Sequence, residues 1–159
     1  MFQKLVESLS LDTKKKTRNE LDDYVHIGVL QAVIIAMQSV SPGMETLLLM
    51  SGKKAGKMMS IGSSSSLSEA LEKAEKKFRE LRIGIIESEN IKEDEVVVKV
   101  RECMMCSNLA NVGRPLCYIV GGILSGFIEN EIKTGVQVYE NKCVTMGYDY
   151  CEFIIKISH

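Results

Sequence analysis

The sequence predicts an α+β fold, an antiparallel sheet of about four strands with helices packed on it. Three observations carry that expectation. The first half places apolar residues at helical spacing, most clearly in LSEALEKAEKKFREL, where Leu67, Leu71, Ala74, Phe78 and Leu81 form one stripe. The runs IGIIESEN and EVVVKVREC flank the charged turn Lys92-Glu93-Asp94 and read as a hairpin. A second pair, TGVQVYENKC and YCEFIIKIS, surrounds Gly147.

Taken in order, Asp22-Asp23 precede VHIGVLQAVIIAMQSV, which is apolar on most faces. That pattern predicts a largely buried helix over Val25–Val40, ended by Ser41-Pro42-Gly43. METLLLMSGKKAGKMM predicts a second helix, with Gly52 and Gly56 on one face where another backbone can approach closely. The serine run Ser63–Ser66 is a loop, and Ser66 or Ser68 is placed to cap the following helix. After the first hairpin, GRPLCYIVGGILSGFIENEI predicts a helix with Pro115 in its first turn. Leu116, Ile119, Val120, Ile123, Leu124 and Phe127 form its apolar face. The length of 159 residues suits a single domain over 1–159, with 1–91 mainly helical.

Composition excludes several function classes. A formal net charge of −1 gives no reason to expect nucleic acid or an anionic membrane as partner. Lys14, Lys15, Lys16 and Arg18 are balanced by Glu20, Asp22 and Asp23, which reads as a solvated face. The N-terminal MFQKLVESLSLD lacks the apolar core of a secretory signal, and IGVLQAVIIAM is too short to span a bilayer. The expectation is a cytoplasmic protein, in which five cysteines are thiols or metal ligands rather than disulfides. No catalytic residues are assigned. His26 lies in the apolar helix and His159 ends the chain, GGILSG falls inside a helix pattern, and no dinucleotide fingerprint is present.

The stretch YENKCVTMGYDYCEFIIKI holds Glu140, Cys143 and Cys151 together. Strand alternation puts Val136, Val138 and Glu140 on one face, with Cys151, Phe153, Ile155 and Ile157 on one face of the partner. A carboxylate on a core face needs a partner, and no lysine or arginine shares those positions. Cys143 and Cys151 lie four residues either side of Gly147, so a hairpin centred there sets them opposite one another. Bringing Glu140 and Cys143 to one centre requires a bulge at Asn141-Lys142, because odd spacing alternates faces. Cys117, early in its helix, supplies a fourth donor. Two readings stand on these residues: a closed tetrahedral Zn²⁺ shell, or buried cysteines acting as small hydrophobes. Cys103 and Cys106 add a CxxC spacing without a second half, and read as a strand-end pair near the metal.

The segment RPLCYIVGGILSGFIENEIKTGVQVYENKCVTMGYDYCEFIIKI resembles the 4-vinyl-reductase domain family. Its marks are a helix with a cysteine and small residues, then Glu-x-x-Cys, a glycine and Cys-x-Phe. The likeness covers roughly residues 92–157, and LLLMSGKKAGKMM resembles the helix that precedes that region. In aromatic-sensing regulators of this family three cysteines and a glutamate bind zinc. The resemblance therefore implies Cys117, Glu140, Cys143 and Cys151 as zinc ligands. It also implies binding of a small hydrophobic molecule in a sensory or regulatory role. The family's other settings imply two alternatives: a scaffold like the TRAPP vesicle-tethering subunits, or an accessory role in tetrapyrrole vinyl reduction. Phenol sensors of the family use a tryptophan, and this chain has none.

Nine methionines accompany the helices and suit an adaptable apolar pocket. The expected pocket lies between the Val25–Val40 helix, the Leu47–Met59 helix and the sheet face of Val96 and Val98. Met37 and Met50 line it, and His26 or Tyr24 supplies a polar handle. The apolar first helix and the Gly52/Gly56 face present more hydrophobic surface than one small sheet covers, which predicts a homodimer.

Overall fold

The computed structural model describes residues 2–158 apart from positions 16, 19, 61 and 93. Lys16, Glu93 and His159, which figure in the expectations above, lie outside the described residues. The helices are α1 (Phe2–Ser8), α2 (Ile27–Val40), α3 (Met44–Met59), α4 (Leu67–Glu80) and α5 (Tyr118–Ile132). The strands are β1 (Ile85–Glu89), β2 (Glu95–Arg101), β3 (Val136–Lys142) and β4 (Cys151–Ile157). They form one antiparallel sheet in the order β1-β2-β4-β3, the α+β architecture expected. Apolar spacing does not predict α1, which is only seven residues long.

Period-2 alternation sorts the sheet into two faces. Val96, Val98, Val100, Phe153 and Ile155 are buried on one, beneath α4 and α5. The other is polar, with Lys99 paired to Glu89 at 2.8 Å. Ser66 caps α4 by accepting from the Glu69 N–H at 3.2 Å, and Leu71, Ala74 and Phe78 bury its stripe.

Helix α5 is buried all round over residues 121–128 because α3 lies across its outer side. Glycines allow that crossing at backbone contact. A Cβ at Gly56 would sit 2.0 Å from the Ile123 carbonyl oxygen, and one at Gly126 1.9 Å from that of Lys53. Gly52 and Gly122 make the same approach, 2.3 Å from Ile119 O and 2.2 Å from Leu49 O. The Gly52/Gly56 face is thus consumed within the chain, and it offers nothing to a second copy.

Helix α2 departs from its expected burial. Gln31, Ile34 and Gln38 face inward, while Val29, Val33 and Val40 are 55, 52 and 79% exposed. The reason is competition for the core. With α4 and α5 on the sheet and α3 on α5, only loop surface remains for α2, and the carbonyls of that loop need donors. Gln31 Nε2 donates to the Met104 and Ser107 carbonyls, both at 3.2 Å, and Gln38 Nε2 to that of Leu116 at 3.4 Å. Helix α5 likewise begins at Tyr118, so Pro115 lies in the preceding loop and Cys117 is the N-cap residue. Gln38 and the Thr145 hydroxyl hold that loop through the Leu116 and Arg114 carbonyls.

Candidate metal centre

The end of β3 decides where its donors point. Glu140 pairs with Phe153 and Lys142 with Glu152, which leaves Asn141 as the extra residue of a β-bulge. That insertion reverses the alternation, so Cys143 returns to the face that Glu140 and Cys151 share. The break required at Asn141-Lys142 is present. Asn141 Nδ2 and Lys142 Nζ pin it from the outer face by bonding Glu152 at 2.6 and 3.0 Å. The turn beyond is wider than a tight hairpin: a 3-10 helix, Val144–Met146, closes at Gly147 with φ +93°.

Four donors converge there. Cys117, Cys143 and Cys151 are each 0% exposed, and their Sγ atoms form a triangle with sides of 3.5, 3.7 and 3.7 Å. A Glu140 carboxylate oxygen lies within 4.8 Å of all three. Each comes from a different local structure: the N-cap of α5, the bulged end of β3, the start of the 3-10 helix and the first residue of β4. The Thr145 hydroxyl, 3.1 Å from Cys143 Sγ, and the Cys117 N–H, donating to Glu140 Oε2 at 3.0 Å, hold the donors in place.

Cys103 and Cys106 belong to the same cluster. Cys103 Sγ is 3.5 Å from Cys117 Sγ, and Cys106 Sγ is 3.2 Å from Cys151 Sγ. Cys103, Cys106, Cys117 and Cys151 form a second set of four donors within 4.8 Å. The sequence shows the CxxC spacing but not this placement. It follows from the β2–β4 register, in which Val100 pairs with Cys151 and delivers the end of β2 to the cluster.

Electrostatics define what the site lacks. Burial pushes the Glu140 carboxyl up to about 9, reinforced by negative charge on Cys143. Neighbouring thiols raise Cys117, with burial adding to the effect, whereas hydrogen bonds from Cys106, Cys117 and Cys151 lower Cys143. Without a cation the pocket holds one anionic group and resists the rest. Glu140 Oε1 is buried with no hydrogen-bond partner, an arrangement that is costly for a protonated or an ionised carboxyl alike. Three thiols and a carboxyl around an orphaned oxygen are the donor set of a closed, tetrahedral divalent-metal site.

The 4-vinyl-reductase domain model matches residues 96–157. The uncharacterized Methanocaldococcus jannaschii protein MJ0150 is 30% identical over 138 residues, 87% of this chain and 79% of that protein. The chain belongs to the 4-vinyl-reductase domain family. A second M. jannaschii protein, MJ1642, is 31% identical over 50% of this 4-vinyl-reductase-domain chain and 48% of its own length. The family's fold recurs in solved structures. The phenol-responsive sensory domain of the transcription activator PoxR, solved with phenol, has a TM-score of 0.67 at 14% identity, over 84% of this chain and 75% of that one. A vinyl-4-reductase family protein of M. jannaschii has 0.64 at 19%, over 99 and 95%. A trafficking protein particle complex subunit from Naegleria fowleri, covalently bound to palmitic acid, has 0.59 at 14%, over 84 and 93%.

The residues expected to bind a ligand are not brought together. Val96 and Val98 are fully buried in packed core, while Met37, Met50 and Tyr24 are 38, 61 and 40% exposed. His26 caps α2 by accepting from the Gly28 N–H at 3.1 Å. Helix α5 occupies the space between α3 and the sheet where the pocket was expected. Tyr24 instead lines an apolar surface groove of about 650 Å³, with Ile27, Leu30, Val33, Leu81 and Met104. The Arg82 guanidinium stacks over its ring at 3.8 Å.

Proposed function

We propose that this 4-vinyl-reductase domain is a regulatory module that binds a small hydrophobic molecule and is braced by structural zinc on Cys117, Glu140, Cys143 and Cys151. The observation that carries the zinc reading is the unpartnered Glu140 Oε1 among three buried sulfurs. Bound there, the ion supplies a crosslink between β3, β4 and α5, with no open position for water. The thiols imply a reducing compartment such as the cytoplasm.

The groove beside Tyr24 is the ligand site this reading uses. Its walls are α2 and the segments at Leu81 and Met104, and its volume suits a compact apolar molecule. The PoxR sensory domain, solved with phenol, supports a ligand-binding role for the fold. Gln31 couples the groove to the cysteines, because its amide holds the CxxC turn at Met104 and Ser107. A ligand that reseats α2 therefore acts on the loops that the metal organises. The test pairs metal analysis with thermal shift. Zinc should co-purify, Cys143→Ser should release it from this site, and a compound from a panel of phenols, fatty acids and porphyrins should raise Tm. Leu30→Asp, in the groove, should abolish that shift. Metal-free protein with no ligand-induced shift overturns both parts.

A second reading, an interaction scaffold, rests on the exposed row Val29, Val33, Met37 and Val40 along α2. It is separated from the first by oligomeric state.

A further inference from the structure

The two donor sets share an edge. Cys117 and Cys151 belong to both, Cys103 and Cys106 complete one, and Glu140 and Cys143 complete the other. We propose that the cluster holds two divalent metal ions, a second Zn²⁺ sitting on Cys103, Cys106, Cys117 and Cys151 with the two shared cysteines as bridging thiolates. The proposal rests on the first site and extends it.

Three observations support it. The first is spacing. A tetrahedral Zn–S bond of about 2.3 Å sets ligand–ligand edges of about 3.8 Å. The shared Cys117–Cys151 edge is 3.5 Å, Cys103–Cys117 is 3.5 Å and Cys106–Cys151 is 3.2 Å, so small shifts complete the second tetrahedron. A thiolate sulfur keeps lone pairs after binding one ion, so the two shared sulfurs have donors to spare.

The second is charge. One Zn²⁺ on three thiolates and a carboxylate leaves the site at net −2, with Cys103 and Cys106 as buried neutral thiols. When a second Zn²⁺ enters, those two thiols release their protons, and the net charge stays at −2. Nothing further has to be neutralised in a pocket where all five cysteines are at most 1% exposed.

The third is the shape of the Cys103–Cys106 turn. The Cys106 and Ser107 N–H groups donate to the Cys103 carbonyl at 3.2 and 3.0 Å, and the Ser107 hydroxyl does so at 2.7 Å. Both thiols are thereby aimed into the cluster before any ion binds, which lowers the ordering cost of chelation.

The experiment is zinc counting on full-length protein purified anaerobically under reductant, with chain concentration from amino-acid analysis. Two zinc per chain are expected, falling to one in Cys103→Ser/Cys106→Ser. With cadmium as the probe, ¹¹³Cd NMR should give two resonances, one all-sulfur and one mixed sulfur–oxygen, split by mutual coupling through the shared sulfurs. The count and coupling in the unmutated protein decide the question even if the double variant fails to fold. One zinc in both proteins overturns the second ion and leaves the first site standing. No zinc at all overturns the site it is built on. Two zinc per chain without cadmium–cadmium coupling overturns the shared edge.

Discussion

Glu140 is the residue whose chemistry asks most for an explanation. Its carboxyl is held neutral by burial in the metal-free pocket, yet one oxygen has no donor to accept from. A metal resolves the contradiction, because a cation both favours the carboxylate and fills the vacant bond. Glu140→Gln keeps the shape and removes the charge. It should weaken zinc binding at its own donor set at least ten-fold, measured by competition with a chromophoric chelator. In protein stripped by chelator the same substitution should leave Tm almost unchanged, since the wild-type group is already uncharged there. Equal losses of Tm with and without metal would mean that Glu140 is only a packing residue. The odd spacing of Glu140 and Cys143 made a bulge legible in advance, because parity admits no other way to bring both to one face. The role of Cys103 and Cys106 was not legible, because it depends on β2 pairing with β4, a strand far along the chain.

Among elements, the crossing of α3 and α5 is the least tolerant. Gly52 and Gly56 meet Gly122 and Gly126 with carbonyl oxygens where side chains would stand, and backbone cannot step aside. Gly56→Ala and Gly126→Ala should each destabilise the fold by about 3 kcal/mol in urea unfolding. Gly62→Ala, where an added Cβ meets nothing within 4 Å, should be neutral to within about 0.5 kcal/mol. The glycine spacing announced a close approach, but its partner depended on which helix reached that face first. The case of α2 is similar. Its apolar composition read as burial, yet α4, α5 and α3 had already filled the core, and the two glutamines became part of its inward face.

At the scale of the whole molecule, that outcome leaves an apolar row facing water. Val29, Val33, Met37 and Val40 follow one side of α2 at spacings of four, four and three residues. We expect this row to meet its copy in a second chain, giving a homodimer through α2 alone, since the glycine face is taken. Light scattering at tens of micromolar should report a dimer, and Val33→Lys should convert it to a folded monomer with unchanged zinc content. A wild-type monomer at that concentration would refute the dimer. Among the described residues no helix is long and apolar enough to cross a membrane, so a bilayer-spanning role for α2 is not the explanation of its exposed face.

Local periodicity by itself determined the α+β class, the two strand pairs, the capped α4 and the Glu140-Cys143-Cys151 constellation. These are short-range properties: side-chain alternation, turn residues and N-capping act within a few positions and need no knowledge of the rest of the chain. Only the tertiary structure decided which helices won the core, that five cysteines rather than three share one pocket, and that the expected cavity is filled by α5. Those outcomes are set by competition for a single buried sheet face and by strand order. A sequence states the apolar surface each element offers, whereas excluded volume settles which offers are taken.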